Sequence, residues 1–118
     1  MNKLIYICGV LFGAACNAGV SAEEVTKDIT IKTLHPIAEV RPAYTPSQNI
    51  TRIYFKETDG WSKDVGCRNG EADLKSTDEH LLSILLMAWA TNKSIKVAVD
   101  SALKVDNAVC TITALVVQ

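Results

Sequence analysis

Apolar and polar positions change their spacing several times along the chain, and each change marks an element. Residues 25–34, VTKDITIKTL, alternate in their second half, with Ile29 and Ile31 pointing one way and Thr30 and Lys32 the other. That period of two predicts a half-buried strand. His35-Pro36 ends regular pairing, because proline has no N–H to give a ladder. Residues 41–49, RPAYTPSQN, hold two prolines and several turn formers and read as a loop. The β-branched and aromatic run 50–57, ITRIYFKE, predicts a second strand. Thr58-Asp59-Gly60 predicts a turn, and Trp61–Cys67 a third strand returning as a hairpin. Arg68–Lys75 is polar, contains Asn69-Gly70 and reads as a loop.

A helix follows. Ser76-Thr77-Asp78-Glu79 fits a capping box, in which the Ser76 hydroxyl accepts from the third helical amide and Glu79 reaches back. Acidic Asp78 and Glu79 suit the positive end of the helix dipole. The pattern runs to about Thr91, with Asn92 as the stop. From Leu81 to Ala90 the chain reads LLSILLMAWA, and Ser83 is its only polar residue. Leu81, Leu85, Ala88 and Trp89 fill one face, while Ile84 and Met87 lie towards another. A surface helix of a small domain normally keeps one wet face. This one lacks it and is too short to span a bilayer. It is therefore either deeply enclosed or shared with neighbouring subunits, and Ile84 and Met87 are the candidate oligomer contacts.

Alternation returns in 94–100, where Ile95, Val97 and Val99 share a side. A turn-rich connection, 101–107, leads to a last strand over Val109–Val117. Both faces of that strand are apolar, which suits a strand covered on both sides. The order is thus three strands, one helix and two strands. This predicts a mainly β fold with one α-helix: a five-stranded OB-fold-like barrel with its helix between strands 3 and 4. An open antiparallel α+β sandwich is the rival architecture.

The N-terminal segment changes the picture by placing the chain. Met1–Ala22 has a basic start at Lys3, an apolar run from Leu4 to Ala15 and the small-residue ending Val20-Ser21-Ala22. That is the layout of a signal peptide over 1–22, cut before Glu23. It leaves 23–118 as a single small domain, exported to the periplasm or secreted. Lipidation at Cys16 is the rival reading. The cut removes Cys8 and Cys16, so Cys67 and Cys110 remain as an even pair in an oxidising compartment and predict one disulfide. The chain carries 12 Lys and Arg against 13 Asp and Glu, and only Lys3 of these lies in the leader. No basic surplus favours nucleic acid, no polybasic cluster favours an anionic membrane surface, and the apolar runs are too short to span a bilayer.

The segment Cys67–Gln118 resembles the C-terminal half of small exported bacterial OB-fold proteins that include B subunits of AB5 toxins, of the subtilase-cytotoxin and pertussis-like type. The resemblance rests on Cys67, the helix phrase Leu81–Ala90, the following TNKSIKVAVD over 91–100, and Cys110 with its closing strand. It covers about half of the exported chain. It implies a homo-oligomer, a pentamer whose helices line a central pore, and a binding partner that is a glycan or a protein. It assigns no glycan-binding residue here, because the N-terminal half carries no matching pattern.

The chemistry-bearing residues do not assemble into an active-site motif. His35 and His80 lie outside ligand-spaced patterns, Ser83 has no nucleophile elbow around it, and no phosphate-cradling glycine loop is present. Asp59, Asp64, Glu71 and Asp73 read as solvated loop charges. No cofactor and no enzymatic activity are expected. Tyr44 in the proline-rich loop, Tyr54 on the second strand and Trp61 after the turn are the candidate binding aromatics, because exposed rings stack on sugars and loops carry binding. The expectation is an exported, non-enzymatic binding module. The alternative is a monomeric periplasmic or surface accessory protein, structural or inhibitory, without lectin activity.

Overall fold

The computed structural model describes residues 23–105 and 108–118, so the expected leader lies outside the described residues. The strands are β1 (Glu24–Ile29), β2 (Ile31–Pro36), β3 (Ile50–Phe55), β4 (Glu71–Lys75), β5 (Ile95–Val105) and β6 (Val109–Val116), and α1 (Glu79–Thr91) follows β4. They form one six-stranded sheet in the order β1-β5-β6-β4-β3-β2. Neighbours are antiparallel except β4 and β6, which run parallel and pair at Asp73 and Thr111. The fold is mainly β with one helix, as the patterning implies. The count differs: six strands stand where five are expected, and the helix lies between strands 4 and 5. β1 and β2 occupy the two edges of the sheet and share no ladder.

Two local causes account for the difference. The expected strand over 25–34 breaks at Thr30. There the Glu57 carboxylate accepts from the Thr30 backbone N–H at 2.7 Å and from its hydroxyl at 2.9 Å, while the Thr30 carbonyl accepts from Lys56 N–H at 2.9 Å. The first half pairs with β5 and the second with β3. The expected third strand, Trp61–Cys67, is not a strand. Ser62 is tied to Thr26 by two hydrogen bonds, the Trp61 indole N–H donates to the Arg68 carbonyl at 2.9 Å, and Gly66 takes φ +86°, a left-handed turn that favours glycine. The third rung of the sheet comes instead from Glu71–Lys75, within the stretch expected to be a loop.

The helix begins later than the capping box implies. Asp78 is the N-cap and makes no side-chain cap bond; its carbonyl accepts from Leu81 and Leu82. At the other end Asn92 adopts the left-handed conformation with φ 55°, and Lys93 N–H bonds the Ala88 carbonyl, closing the last turn. β5 extends to Val105, through the region expected to turn, with an irregularity in its pairing between Asp100 and Lys104.

The core is one cluster. Val25 and Ile29 of β1, Ile53 of β3, Leu74 of β4, Val97 and Val99 of β5 and Ile112 of β6 meet Leu85 and Ala88 of the helix, each at most 2% exposed. Burying such side chains stabilises by roughly 1.5–3 kcal/mol each. The Cys67–Cys110 disulfide forms as the cysteine arithmetic predicts. It joins the irregular segment just ahead of β4 to the start of β6.

Candidate functional site

The segment between β3 and β4 has no regular secondary structure, yet it is fixed from several sides. Its anchor is Lys27. Val25, Lys27 and Ile29 alternate onto the core side of β1, so the lysine stem enters the core with its neighbours; the residue is 7% exposed. A buried ammonium needs acceptors. Lys27 Nζ donates to the carbonyls of Glu57 at 3.3 Å and Asn69 at 2.8 Å, and to that of Asp59. It also lies 5.7 Å from the Phe55 ring centroid and 5.8 Å from that of Trp61, within reach of cation–π attraction. Phe55 and Trp61 meet edge to face at 5.7 Å. One side chain thus holds both ends of the 57–69 segment.

That segment and the start of β6 enclose an open cleft of about 460 Å³, lined by Asp64, Gly66, Cys67, Arg68, Asn69 and Ala108. Each wall has a fixed back. Arg68 N–H donates to the Ala108 carbonyl at 3.0 Å, and the disulfide ties the same two segments covalently. Gly66 N–H donates to Asp64 Oδ1 at 3.3 Å, and Arg68 Nη1 lies 3.1 Å from Glu71 Oε2. The lining is polar and apolar in about equal measure, and Lys104 Nζ reaches the Val65 carbonyl at 3.4 Å beside Gly66. The rim carries a carboxylate, a guanidinium and a carboxamide, so it offers both acceptors and donors.

The candidate aromatics do not converge. Trp61 is half-buried and supports the cleft from behind through its bond to the Arg68 carbonyl. Tyr54 is half-buried on β3, opposite Glu71. Tyr44 is 43% exposed on the loop after β2, with the Arg41 guanidinium 5.5 Å from its ring centroid. The loop carrying it is ordered by bonds from Arg41 N–H to Gln48 Oε1 and from Asn49 N–H to the Ala38 carbonyl.

Two expected solvated loop charges, Glu71 and Asp73, lie on β4 and are paired: half-buried Glu71 lies 3.1 Å from Arg68 Nη1 and 3.8 Å from Arg52 Nε. Asp73 is fully buried, since β4 is covered on both faces. Arg52, beside it on β3, donates Nε to Asp73 Oδ1 at 2.7 Å and Nη2 to Oδ2 at 2.8 Å, the bidentate fork that suits a carboxylate. Arg52 Nη2 also donates to the buried Ser47 hydroxyl at 3.2 Å. Burial pushes the Asp73 carboxyl up from the ordinary aspartate range, while the Arg52 hydrogen bonds and charge pull it down. The bond from Asp73 in turn raises Arg52. Asp64, by contrast, is exposed at the cleft.

On the helix, Leu85 and Ala88 are buried and Leu81 and Leu82 pack against the core, so the inward stripe is close to the expected one. Trp89 departs from it. One residue past Ala88 turns it about 100° away on a 3.6-residue helix, and it is 49% exposed. Leu86 and Met87 join it at 45% and 40% exposure, and Ile84 is half-buried. The helix therefore carries apolar side chains on its outward face too. Its neighbours are β2 and β6. Among the described residues β2 pairs with a strand on one side only, and Thr113–Val116 of β6 pair only with β5.

His80 is exposed in the first helical turn and His35 is exposed on β2 opposite Arg52. Among the described residues no group of three or more His, Cys, Asp and Glu side chains is placed to hold a metal ion, and no helix is long and apolar enough to cross a membrane. No family model, no curated protein and no solved structure matches the chain.

Proposed function

We propose that this protein is an exported, non-enzymatic binding module of the toxin B-subunit type, which assembles into a ring with its helices towards the axis and recognises glycan. The observation that carries the reading is the outward face of α1. Leu86, Met87 and Trp89 stand 40–49% exposed, Leu86 beside Trp89 one turn on and Met87 further round the helix, and the two nearby strand edges lack partners among the described residues. Large apolar side chains are costly to leave in water, and an unpaired strand edge is a template for another chain. Both are relieved when β2 of one copy meets the β6 end of the next. Two different surfaces then join head to tail, the arrangement that closes into a ring. Met87 is an axial contact in this assembly, and half-buried Ile84 lies beside it.

The barrel reading also has support. β1 and β2 lie at opposite edges of the sheet yet are joined through Thr30 alone, so the sheet has to curl until those edges approach. Taken as one bent strand they restore a count of five, with the helix after the third and a parallel pairing of the third with the fifth, as in a closed OB-type barrel.

Light scattering on the purified protein, followed by a glycan array, tests the proposal. A mass of five subunits with array signal supports it. A monomer overturns the ring and favours a monomeric accessory protein, and a silent array with a folded pentamer removes the glycan part alone.

A further inference from the structure

Assembly and glycan recognition leave Asn69-Gly70 without a role, yet its surroundings are chemically unusual. We infer that it is a self-modification site: the folded chain converts Asn69 to isoaspartate, assisted by the buried Lys27 ammonium. This conversion depends on neither the ring nor the glycan reading.

The reaction is intramolecular. The Gly70 nitrogen gives its proton to solvent hydroxide and bonds Asn69 Cγ. The Cγ–Nδ2 bond breaks, and ammonia leaves with a proton taken from water. A cyclic imide results. Water then adds to one imide carbonyl, and the bond from that carbon to the Gly70 nitrogen breaks. Attack at Cγ gives aspartate. Attack at the former main-chain carbonyl gives isoaspartate, in which the chain runs through Cβ and Cγ. Overall one water is consumed and one ammonia released, with no change of oxidation state.

Position 69 suits the first step. A glycine follows, so no side chain crowds the attacking nitrogen. The Gly70 N–H and the Asn69 carboxamide make no hydrogen bond among the described residues, so neither has to be freed. Asn69 is exposed in the turn before β4 and lines the open cleft, within reach of water. The other described asparagines differ. Asn49 precedes the buried, β-branched Ile50. The Asn92 carboxamide oxygen accepts from Lys56 Nζ at 2.7 Å, and the N–H that follows it, on Lys93, donates to the Ala88 carbonyl at 2.9 Å.

Lys27 supplies what a bare Asn-Gly pair lacks. Its Nζ donates at 2.8 Å to the Asn69 carbonyl oxygen, which belongs to the same peptide group as the Gly70 nitrogen. Drawing electrons towards that oxygen acidifies the N–H and stabilises the anion left when the proton departs. It is a fixed charge aimed at developing charge. Once the imide has formed, the same contact polarises the former main-chain carbonyl, so water is directed there and isoaspartate is favoured. In that product the oxygen held by Lys27 belongs to a carboxylate. The buried ammonium then faces an opposite charge in place of a neutral carbonyl, which is the stronger hydrogen bond. The main chain gains one methylene ahead of β4, and the cleft gains a negative charge.

The test follows the unaltered chain at mildly alkaline pH, folded in buffer and unfolded in guanidinium chloride. Peptide mass spectrometry reads the loss of ammonia, and enzymatic isoaspartyl methylation separates the two products. The expected result is conversion at Asn69 about tenfold faster in the folded chain, the gain expected of one ammonium hydrogen bond that strengthens in the transition state. The isoaspartate share is also larger there, and Asn49 and Asn92 stay intact over the same period. Gly70→Ala, whose added Cβ meets only Thr58 Cγ2 at 3.9 Å, keeps the fold and slows the folded chain's conversion. Lys27→Met, where it folds, returns both rate and product ratio to the unfolded values. Where it does not fold, the folded and unfolded native chains decide the matter between them. A folded chain that converts no faster than the unfolded one overturns the proposal, as does an isoaspartate share that is no larger. Equal conversion at Asn49 or Asn92 in the folded chain overturns the assignment to position 69. A folded Lys27→Met variant that keeps the native rate overturns the role of Lys27.

Discussion

The disulfide gives the sharpest energetic prediction, because its effect can be worked from the chain. Cys67 and Cys110 are 43 residues apart in sequence. Closing a loop of that length removes denatured-state entropy equivalent to about 4 kcal/mol at 25 °C in the chain-entropy model. A small domain has roughly 5–15 kcal/mol in all, so the bridge supplies a large part of it. The perturbation is the paired substitution Cys67→Ala/Cys110→Ala, which removes the link without leaving a lone thiol. Urea unfolding followed by Trp61 and Trp89 fluorescence is the assay. With a urea slope of about 1–2 kcal/mol per molar for a domain of this size, the midpoint falls by roughly 2–4 M. Added reductant lowers the midpoint of the native protein similarly and leaves that of the variant where it is. The loss is expected to appear earliest in hydrogen exchange of residues 61–69, which have no strand ladder to hold them. A midpoint that falls by less than about 0.5 M would refute the reasoning, since the link would then not be constraining the unfolded chain.

Other expectations follow from single interactions. Arg52→Met leaves the fully buried Asp73 without its counter-charge and should cost about 3–5 kcal/mol in the same unfolding assay, whereas Arg52→Met/Asp73→Leu should recover most of that loss. Glu57 is partly buried, which pushes its carboxyl up, but the hydrogen bonds from Thr30 outweigh this and hold it below its ordinary value of 4.5. A carboxyl lowered on folding stabilises above that value and loses its contribution as pH falls through the lower folded one. Melting curves between pH 7 and pH 2 should therefore show a steeper acid loss in the native protein than in Glu57→Gln. Leu85→Ala opens a cavity in the core and should cost about 2–5 kcal/mol. Trp89→Ser, on the outward face, should change the stability of the dissociated chain by no more than about 0.5 kcal/mol while lowering the native mass.

Much of the fold is legible in the sequence where local pattern and burial agree. The helix stops at Asn92 because that residue tolerates the left-handed conformation, and β5 shows its alternation at Ile95, Val97 and Val99. The disulfide follows from cysteine arithmetic together with the expected export. The third rung is illegible for a physical reason: EADLK over 71–75 is short, and Asp73 at its centre looks solvated until Arg52 across the ladder is known. The break at Thr30 depends on Glu57, distant in sequence, and no local turn residue announces it. Lys27 did leave a signal. In VTKDI it shares the period of Val25 and Ile29, so the same alternation that sends them inward sends a lysine inward too, and such a lysine must find acceptors. The candidate site was less legible than the fold. The aromatic criterion picks Tyr44, Tyr54 and Trp61, which the fold scatters, whereas the cleft is built from Asp64, Arg68 and Asn69, whose proximity to Ala108 is set by the disulfide. On the helix, composition identified a missing wet face. Which apolar residues stay outside depends on the rotation at which Leu85 and Ala88 meet the sheet.

The central claim is that the outward face of α1 is covered by further copies of this chain. The native mass of the purified protein by light scattering at micromolar concentration, compared with that of Trp89→Ser, tests it most directly. The account predicts a closed oligomer of five subunits for the native chain and dissociation on substitution. A monomer that leaves Leu86, Met87 and Trp89 in solvent would contradict it.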